Sequence, residues 1–138
     1  MKRSSGILLP ISALPAPYGI GTLGRASFEF VDFLAAAGQS WWQVLPVGPT
    51  SYGDSPYQSL STFAGNPYFI DLDMLVEDGL LRADEVRAVD WGADETQVDY
   101  GILYEHRFAL LAKAAEKGLK RDAAAVAAFA SEKRGWLE

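Results

Sequence analysis

Cysteine is absent from the 138 residues, and histidine occurs once, at His106. The first absence excludes a disulfide framework and any thiolate chemistry. With one histidine and no cysteine, the ordinary zinc ligand sets cannot be assembled, so no metal site is expected. His106 falls within a helical pattern with no nucleophile pointing to it, and it reads as a satisfied or surface histidine. Long apolar runs are also missing. The run after the basic start, Ile7–Leu9, stops at Pro10. That is too short for a signal-peptide core or a membrane span, so a cytoplasmic protein with no membrane partner is expected. Positive charge is scarce: 12 Lys and Arg against 18 Asp and Glu give a net charge of −6. This argues against nucleic acid as a partner. Charge of either sign is rare in the first half, where residues 1–66 hold three of the 12 basic and three of the 18 acidic side chains. A surface so poor in charge is expected to be covered, by the second half or by further chain.

The remaining composition, 49% hydrophobic and 22% charged, is that of an ordinary globular domain. Gly6–Pro10 is a short apolar run ended by proline and reads as a buried strand. A loop punctuated by Pro15, Pro17, Gly19, Gly21 and Gly24 follows. Residues 25–38 read as a helix. Phe28, Val31 and Ala35 share its apolar face, broadened by Phe30, Phe33, Leu34 and Ala37, and Gly38 suits the position just past its end. Residues 40–46 read as a second buried strand. Strand, helix and strand in this order form a βαβ unit, so parallel pairing is expected. Beyond a long loop, a turn is expected at Asp78-Gly79 and a short helix near residues 82–89, with Asp84 as candidate cap. The clearest helix starts after Asp99, carries a stripe of Tyr104, Phe108, Leu111 and Ala115, and should end at Gly118. Another helix opens at Asp122.

Gly19, Gly21 and Gly24 match the G-x-G-x-x-G dinucleotide fingerprint. That fingerprint needs the glycines directly after a strand and an acidic residue about 20 positions on. Pro15 and Pro17 intervene here, and Trp41 stands where the acid should be. The glycines are therefore expected to shape a tight loop, and no cofactor is expected. Glycosidic chemistry uses pairs of carboxylates. Asp71 and Asp73 would share a face if their segment were a strand. Asp84 with Glu85, and Asp94 with Glu95, read as solvated pairs or caps. Asp54 is different: it is isolated, between Gly53 and Ser55, in a loop full of aromatics.

That loop is the most informative segment. From Ser51 to Asp71 it holds Tyr52, Tyr57, Phe63 and Tyr68 beside Asp54, Ser55, Gln58, Ser59, Ser61 and Asn66, with no basic residue. A sugar has an apolar C–H face and a rim of hydroxyls. Flat rings with short polar side chains match both. The loop follows a parallel strand, the end at which α/β barrels build their sites. The competing reading is a surface loop packed by its own aromatics.

The runs "PISALPAPYGIGTLG", "WWQVLPVGPTSYGDSPYQSLSTFAGNPYFIDL" and "VDYGILY" closely resemble the start of the 4-α-glucanotransferases, or amylomaltases. The likeness extends from about Gly6 to the end of the chain. It implies an α/β fold, the N-terminal part of a (β/α)8 TIM barrel of the α-amylase clan with an inserted helical subdomain. Residues 1–75 would form the first barrel portion and 76–138 the helical insertion. The resemblance implies a retaining double displacement on α-1,4-glucans without metal or organic cofactor. One carboxylate forms a glucosyl-enzyme intermediate, and another acts as acid and then base. In the family those carboxylates lie on later strands. No residue of this chain is therefore expected to be catalytic, and the 138 residues are expected to be an N-terminal fragment, inactive alone. By family position Asp54, Ser55 and Tyr57 are expected to contact substrate, and Tyr52 and Tyr104 to form a second glucan site. Two alternatives remain: a self-contained carbohydrate-binding module, which would have to close its own core, and a dinucleotide-dependent enzyme.

Overall fold

The computed structural model describes residues 3–94 and 96–137. The βαβ expectation holds. Strand β1 (Gly6–Leu8) pairs in parallel with β2 (Trp41–Gln43), with Ile7 opposite Trp42, and helix α1 (Arg25–Ala36) connects them. The helix ends as Gly38 predicts. Gly38, at φ +69°, donates its N–H to Ala35 O, and Gln39 donates to Leu34 O. These two bonds form a Schellman motif.

The strands are not buried as expected. Ile7, Leu8 and Trp41 are exposed, and no third strand joins the two among the described residues. Of the expected apolar face of α1, Leu34 is buried but most of the rest is not. Ser27 and Leu34 are buried, while Phe28, Val31 and Phe33 are open to solvent. Two strands of three residues cover only a narrow stripe of the helix, so most of its apolar face is left uncovered by the described residues. The second half of the chain covers part of the charge-poor region, such as Ile20 and Tyr18, but leaves these β1, β2 and α1 side chains exposed. We expect the isolated chain to self-associate through the patch around Leu8, Phe28, Phe33 and Trp41. Sedimentation velocity tests this, and a monomer with one sharp cooperative melt would contradict it.

The core lies elsewhere, under the helices that follow residue 66. After a 3-10 turn at Pro67–Phe69 come α2 (Leu72–Glu77), α3 (Ala83–Arg87) and α4 (Tyr100–Ile102). A π turn at Leu103–Arg107 leads into α5 (Phe108–Arg121), and α6 (Ala123–Glu132) and α7 (Arg134–Leu137) complete the order. Leu72, Leu81, Val86 and Ala114 form one buried cluster, and Ile20, Tyr68 and Leu103 form another. Trp91 packs against both, so the two clusters make one continuous layer.

Several local expectations need correction. Asp71 and Asp73 sit at a helix start and not on a strand. Asp71 caps α2 by accepting the Met74 N–H at 2.9 Å, while Asp73 accepts the Tyr18 hydroxyl at 2.6 Å. Asp84 does not cap α3. Arg82 occupies that position, its N–H donates to Glu85, and its guanidinium pairs with Asp84 in the first turn. Asp99 does cap its helix, accepting the Ile102 N–H at 3.1 Å. Gly118 does not end α5, which runs to Arg121. Leu80 packs beside Gly118, where a Cβ would make only ordinary contact with it. The turn at Asp78-Gly79 is present, with Gly79 at φ +71°. Asp94 lies on an exposed turn, where Thr96 bonds to it, and Glu95 falls outside the described residues.

Candidate functional site

The loop between β2 and the 3-10 turn is closed at its base and open at its tip. Asn66 N–H donates to Val47 O at 2.8 Å, which brings the two ends together. The Asn66 side chain then accepts the Tyr68 N–H at 3.0 Å and caps the turn, with Pro67 at its first position. Along the loop, serine hydroxyls serve the backbone. Ser59 donates to Ser61 O at 2.7 Å, and Ser61 accepts from the Phe63 and Ala64 N–H groups. Of the polar side chains that suit a sugar by type, Ser59, Ser61 and Asn66 are thus used to hold the loop's own shape. Tyr68 is buried and cannot be a platform.

Two of the loop's tyrosines project into solvent. Tyr52 is 100% exposed and Tyr57 74% exposed, and Tyr57 has no ring partner among the described residues. Phe63 meets Trp136 of α7, with ring centroids 5.9 Å apart. Residues 51–54 form a tight turn in which Asp54 N–H donates to Ser51 O at 3.0 Å, with Gly53 at φ +90°. Asp54 follows at φ +54°, the one non-glycine residue with positive φ among those described. Backbone of this kind concentrates at functional sites, and Asp adopts it more readily than most residues. Ser55 is tied beside it. Its Oγ accepts the Tyr57 N–H at 3.4 Å and its carbonyl accepts from Gln58 at 3.1 Å. Pro56 lies inside that turn, so Asp54, Ser55 and Tyr57 are presented by one stiff segment.

An aromatic row runs beneath the loop. Tyr100 packs on Tyr68 at 5.6 Å, Tyr68 on Phe108 at 5.1 Å, and Phe108 on Tyr104 at 5.8 Å. Burial first, and the negative charge of Asp54 second, hold the phenols of Tyr68 and Tyr100 above their usual ionisation range. The Asp54 carboxylate is therefore felt at the buried end of the row. Tyr104 is the other end, 73% exposed with its edge against Phe108. It does not join the buried stripe of its helix, which instead uses Leu103, Arg107 and Ala114. Leu103, Arg107 and Ala114 are themselves spaced as one helical face, so periodicity fits this set as well as the expected stripe of Tyr104, Phe108, Leu111 and Ala115.

Arg107 is the residue of this region that sequence pattern does not reveal. It is fully buried. Its guanidinium donates to Ile70 O at 2.6 Å and to Tyr18 O at 3.4 Å, and its Nε has no partner among the described residues. Burial pushes it down to about 10, against the opposing influence of Asp71. An arginine in a helical stretch reads as a surface residue. Arg107 faces inward because it lies on one helical face with buried Leu103 and Ala114.

The glycine-rich loop takes no dinucleotide form. Gly21 crosses directly over the 3-10 turn at Ile11–Ala13, donating its N–H to Ser12 O at 3.0 Å. At the start of α1, Gly24 lies against Asp71, whose carboxylate accepts the buried Thr22 hydroxyl at 2.5 Å. A protein carboxylate therefore sits where a nucleotide phosphate would have to approach the helix end. A cleft of about 850 Å³ does open between this loop and Trp91, Gly92, Asp94 and residues 96–98, with Pro15, Pro17 and Gln97 on its border. His106 is half-buried in the π turn, and no group of three or more His, Asp or Glu among the described residues could hold a metal ion.

Comparison with known proteins fixes the class. A family model described as 4-alpha-glucanotransferase matches residues 9–138, and the chain belongs to that family. It is 51% identical over 138 residues to a 4-alpha-glucanotransferase of Streptococcus pneumoniae, covering 99% of this chain and 27% of the relative. With a Thermus thermophilus 4-alpha-glucanotransferase it shares 48% over 143 residues, again 27% of that protein. The amylomaltase from Streptococcus agalactiae, solved in complex with acarbose, superimposes with a TM-score of 0.91 at 44% identity. That match covers 96% of this chain and 27% of the other. The chain thus spans about a quarter of the length of the relatives it matches.

Proposed function

We propose that this chain supplies part of the glucan-binding surface of a 4-α-glucanotransferase, an enzyme that moves α-1,4-glucan segments to an acceptor sugar with retention. The observation that carries this is the aromatic loop: a fixed Asp54-Ser55-Tyr57 segment, held by its own backbone bonds, with the Tyr57 ring turned to solvent. Family membership supplies the sugar chemistry. We assign these three residues to substrate contact near the cleaved bond. Tyr52 and Tyr104, both exposed, are assigned to a second site for longer glucans. Residues 1–75 are read as the first βα portion of a (β/α)8 barrel of the α-amylase clan, and residues 76–138 as helical insertion. The exposed β1, β2 and α1 side chains support this, because a self-contained binding module would have to cover them.

In this reading the chain's own residues bind and orient, and none breaks a bond. The Tyr57 ring faces the apolar side of a glucosyl unit. Asp54 and Ser55 meet its hydroxyls, and the stiff turn spares the entropy of ordering them on binding. The attacking carboxylate and the acid/base would come from later strands. The full-length protein, incubated with maltotriose, is expected to give glucose together with longer glucans in proportion to enzyme. The 138-residue chain alone is expected to give neither. Folded full-length protein that forms no longer glucan would overturn the assignment.

The second site has its own test. Tyr104→Ala in the full-length protein is expected to weaken amylose binding while sparing transfer from maltotriose, because its ring sits at the exposed end of the aromatic row. Equal losses for both substrates, or a large drop in Tm, would mean that Tyr104 serves packing against Phe108.

A further inference from the structure

We infer that Arg107 is a positioning residue for long α-1,4-glucan: it locks the turn that carries Tyr104 to the base of the loop that carries Tyr52, and so sets the spacing of the two tyrosines. This rests on the reading of Tyr52 and Tyr104 as a glucan site. The geometry is specific. Arg107 and Tyr104 belong to one π turn, Leu103–Arg107. From that turn the guanidinium reaches Ile70 O at 2.6 Å, on the residue that ends the 3-10 turn at the foot of the aromatic loop. It also reaches Tyr18 O at 3.4 Å in the loop after β1. Three segments far apart in sequence meet on one side chain.

A contribution to stability alone is a poor account of this arginine. Among the described residues it is fully buried, forms no salt bridge to a carboxylate, and leaves Nε without a partner. A buried cation with incomplete bonding is a costly way to fill space, and an apolar side chain of similar length would fill it at less cost. What an apolar chain cannot do is fix direction. Two carbonyls accepting from one planar group determine both the rotation of the helix and its distance from the loop. A ligand that spans two rings on separate segments depends on that distance.

The test is a double-mutant cycle in the full-length protein, read by amylose binding and maltotriose transfer well below each variant's Tm. Arg107→Met is expected to weaken amylose binding about 10-fold with maltotriose transfer nearly kept. Arg107→Lys, which retains a charged donor for one carbonyl, is expected to lose about 2- to 3-fold. Combining Arg107→Met with Tyr104→Ala should weaken binding no further than the larger single change. Additive losses, or unchanged amylose affinity in Arg107→Met while Tyr104→Ala alone weakens it, would overturn the inference and leave the second site standing. If Tyr104→Ala alone has no effect on amylose, the second-site reading fails and the inference falls with it. Should Arg107→Met not fold, the cycle is run with Arg107→Lys, and full parental amylose affinity in that variant counts against the inference.

Discussion

Tyr57→Ala in the full-length protein is expected to lower transfer efficiency about 5- to 150-fold, while Tyr57→Phe keeps most of it. The range follows from the burial of one aromatic ring against a sugar face, worth about 1–3 kcal/mol. It converts to rate on the condition that the ring still meets the sugar in the transition state. The ring is 74% exposed, so the free protein has little packing to forfeit there. Its backbone is held independently of its side chain, by the Ser55 Oγ bond and the rigid Pro56. Truncating the ring should therefore leave the loop where it is and remove only the wall. The hydroxyl is less important, because a sugar's C–H face needs the flat surface more than a donor. Kinetics and thermal melts of both variants decide between the two roles. Parental transfer by Tyr57→Ala would end the sugar-wall role. Activity that falls only in step with folded protein would assign Tyr57 to loop packing.

The parts of this structure that are legible in the sequence share one property: their cause is local. The Schellman end at Gly38, the Asp99 cap, the turn at Gly79 and the parallel βαβ order all depend on short-range pattern. The aromatic loop is legible for a different reason. Its composition fits neither helix nor strand, and exposed rings beside short polar groups have few uses. What cannot be read depends on distant partners. The exposure of Ile7 and Trp41 reflects what does not lie against them, which no local pattern encodes. Arg107 shares the buried face with Leu103 and Ala114, one position round from the stripe of Tyr104, Phe108 and Leu111, and an arginine there hides that face from an apolar count. Ser59, Ser61 and Asn66 suit a sugar by residue type, yet the backbone of the loop uses them first.

The glycine motif shows how a pattern can be right in its physics and wrong in its partner, and it yields the largest stability effect expected for this protein. In a dinucleotide site the second glycine lets the backbone approach a pyrophosphate, and the third lets the helix pack closely. Here Gly21 approaches its own chain and Gly24 approaches Asp71. A Cβ on Gly21 would stand 2.7 Å from Leu14 N and 2.8 Å from Leu14 O, and closer still to Ile11 O. These are backbone atoms of a buried turn, with Ile11 and Leu14 each 4% exposed, so no flexible side chain can swing aside. Gly21→Ala is therefore expected to cost about 3 kcal/mol or more, at or beyond the upper end of ordinary overpacking. Gly38→Ala is the control. Gly38 has positive φ but open space around it, so its cost is conformational alone, about 1–2 kcal/mol. In the full-length protein the Tm of Gly21→Ala should fall clearly further than that of Gly38→Ala. An equal or smaller fall at Gly21 would show that the loop after β1 can open to admit a methyl group. The close crossing of Gly21 over the Ile11–Ala13 turn would then not be what fixes its path.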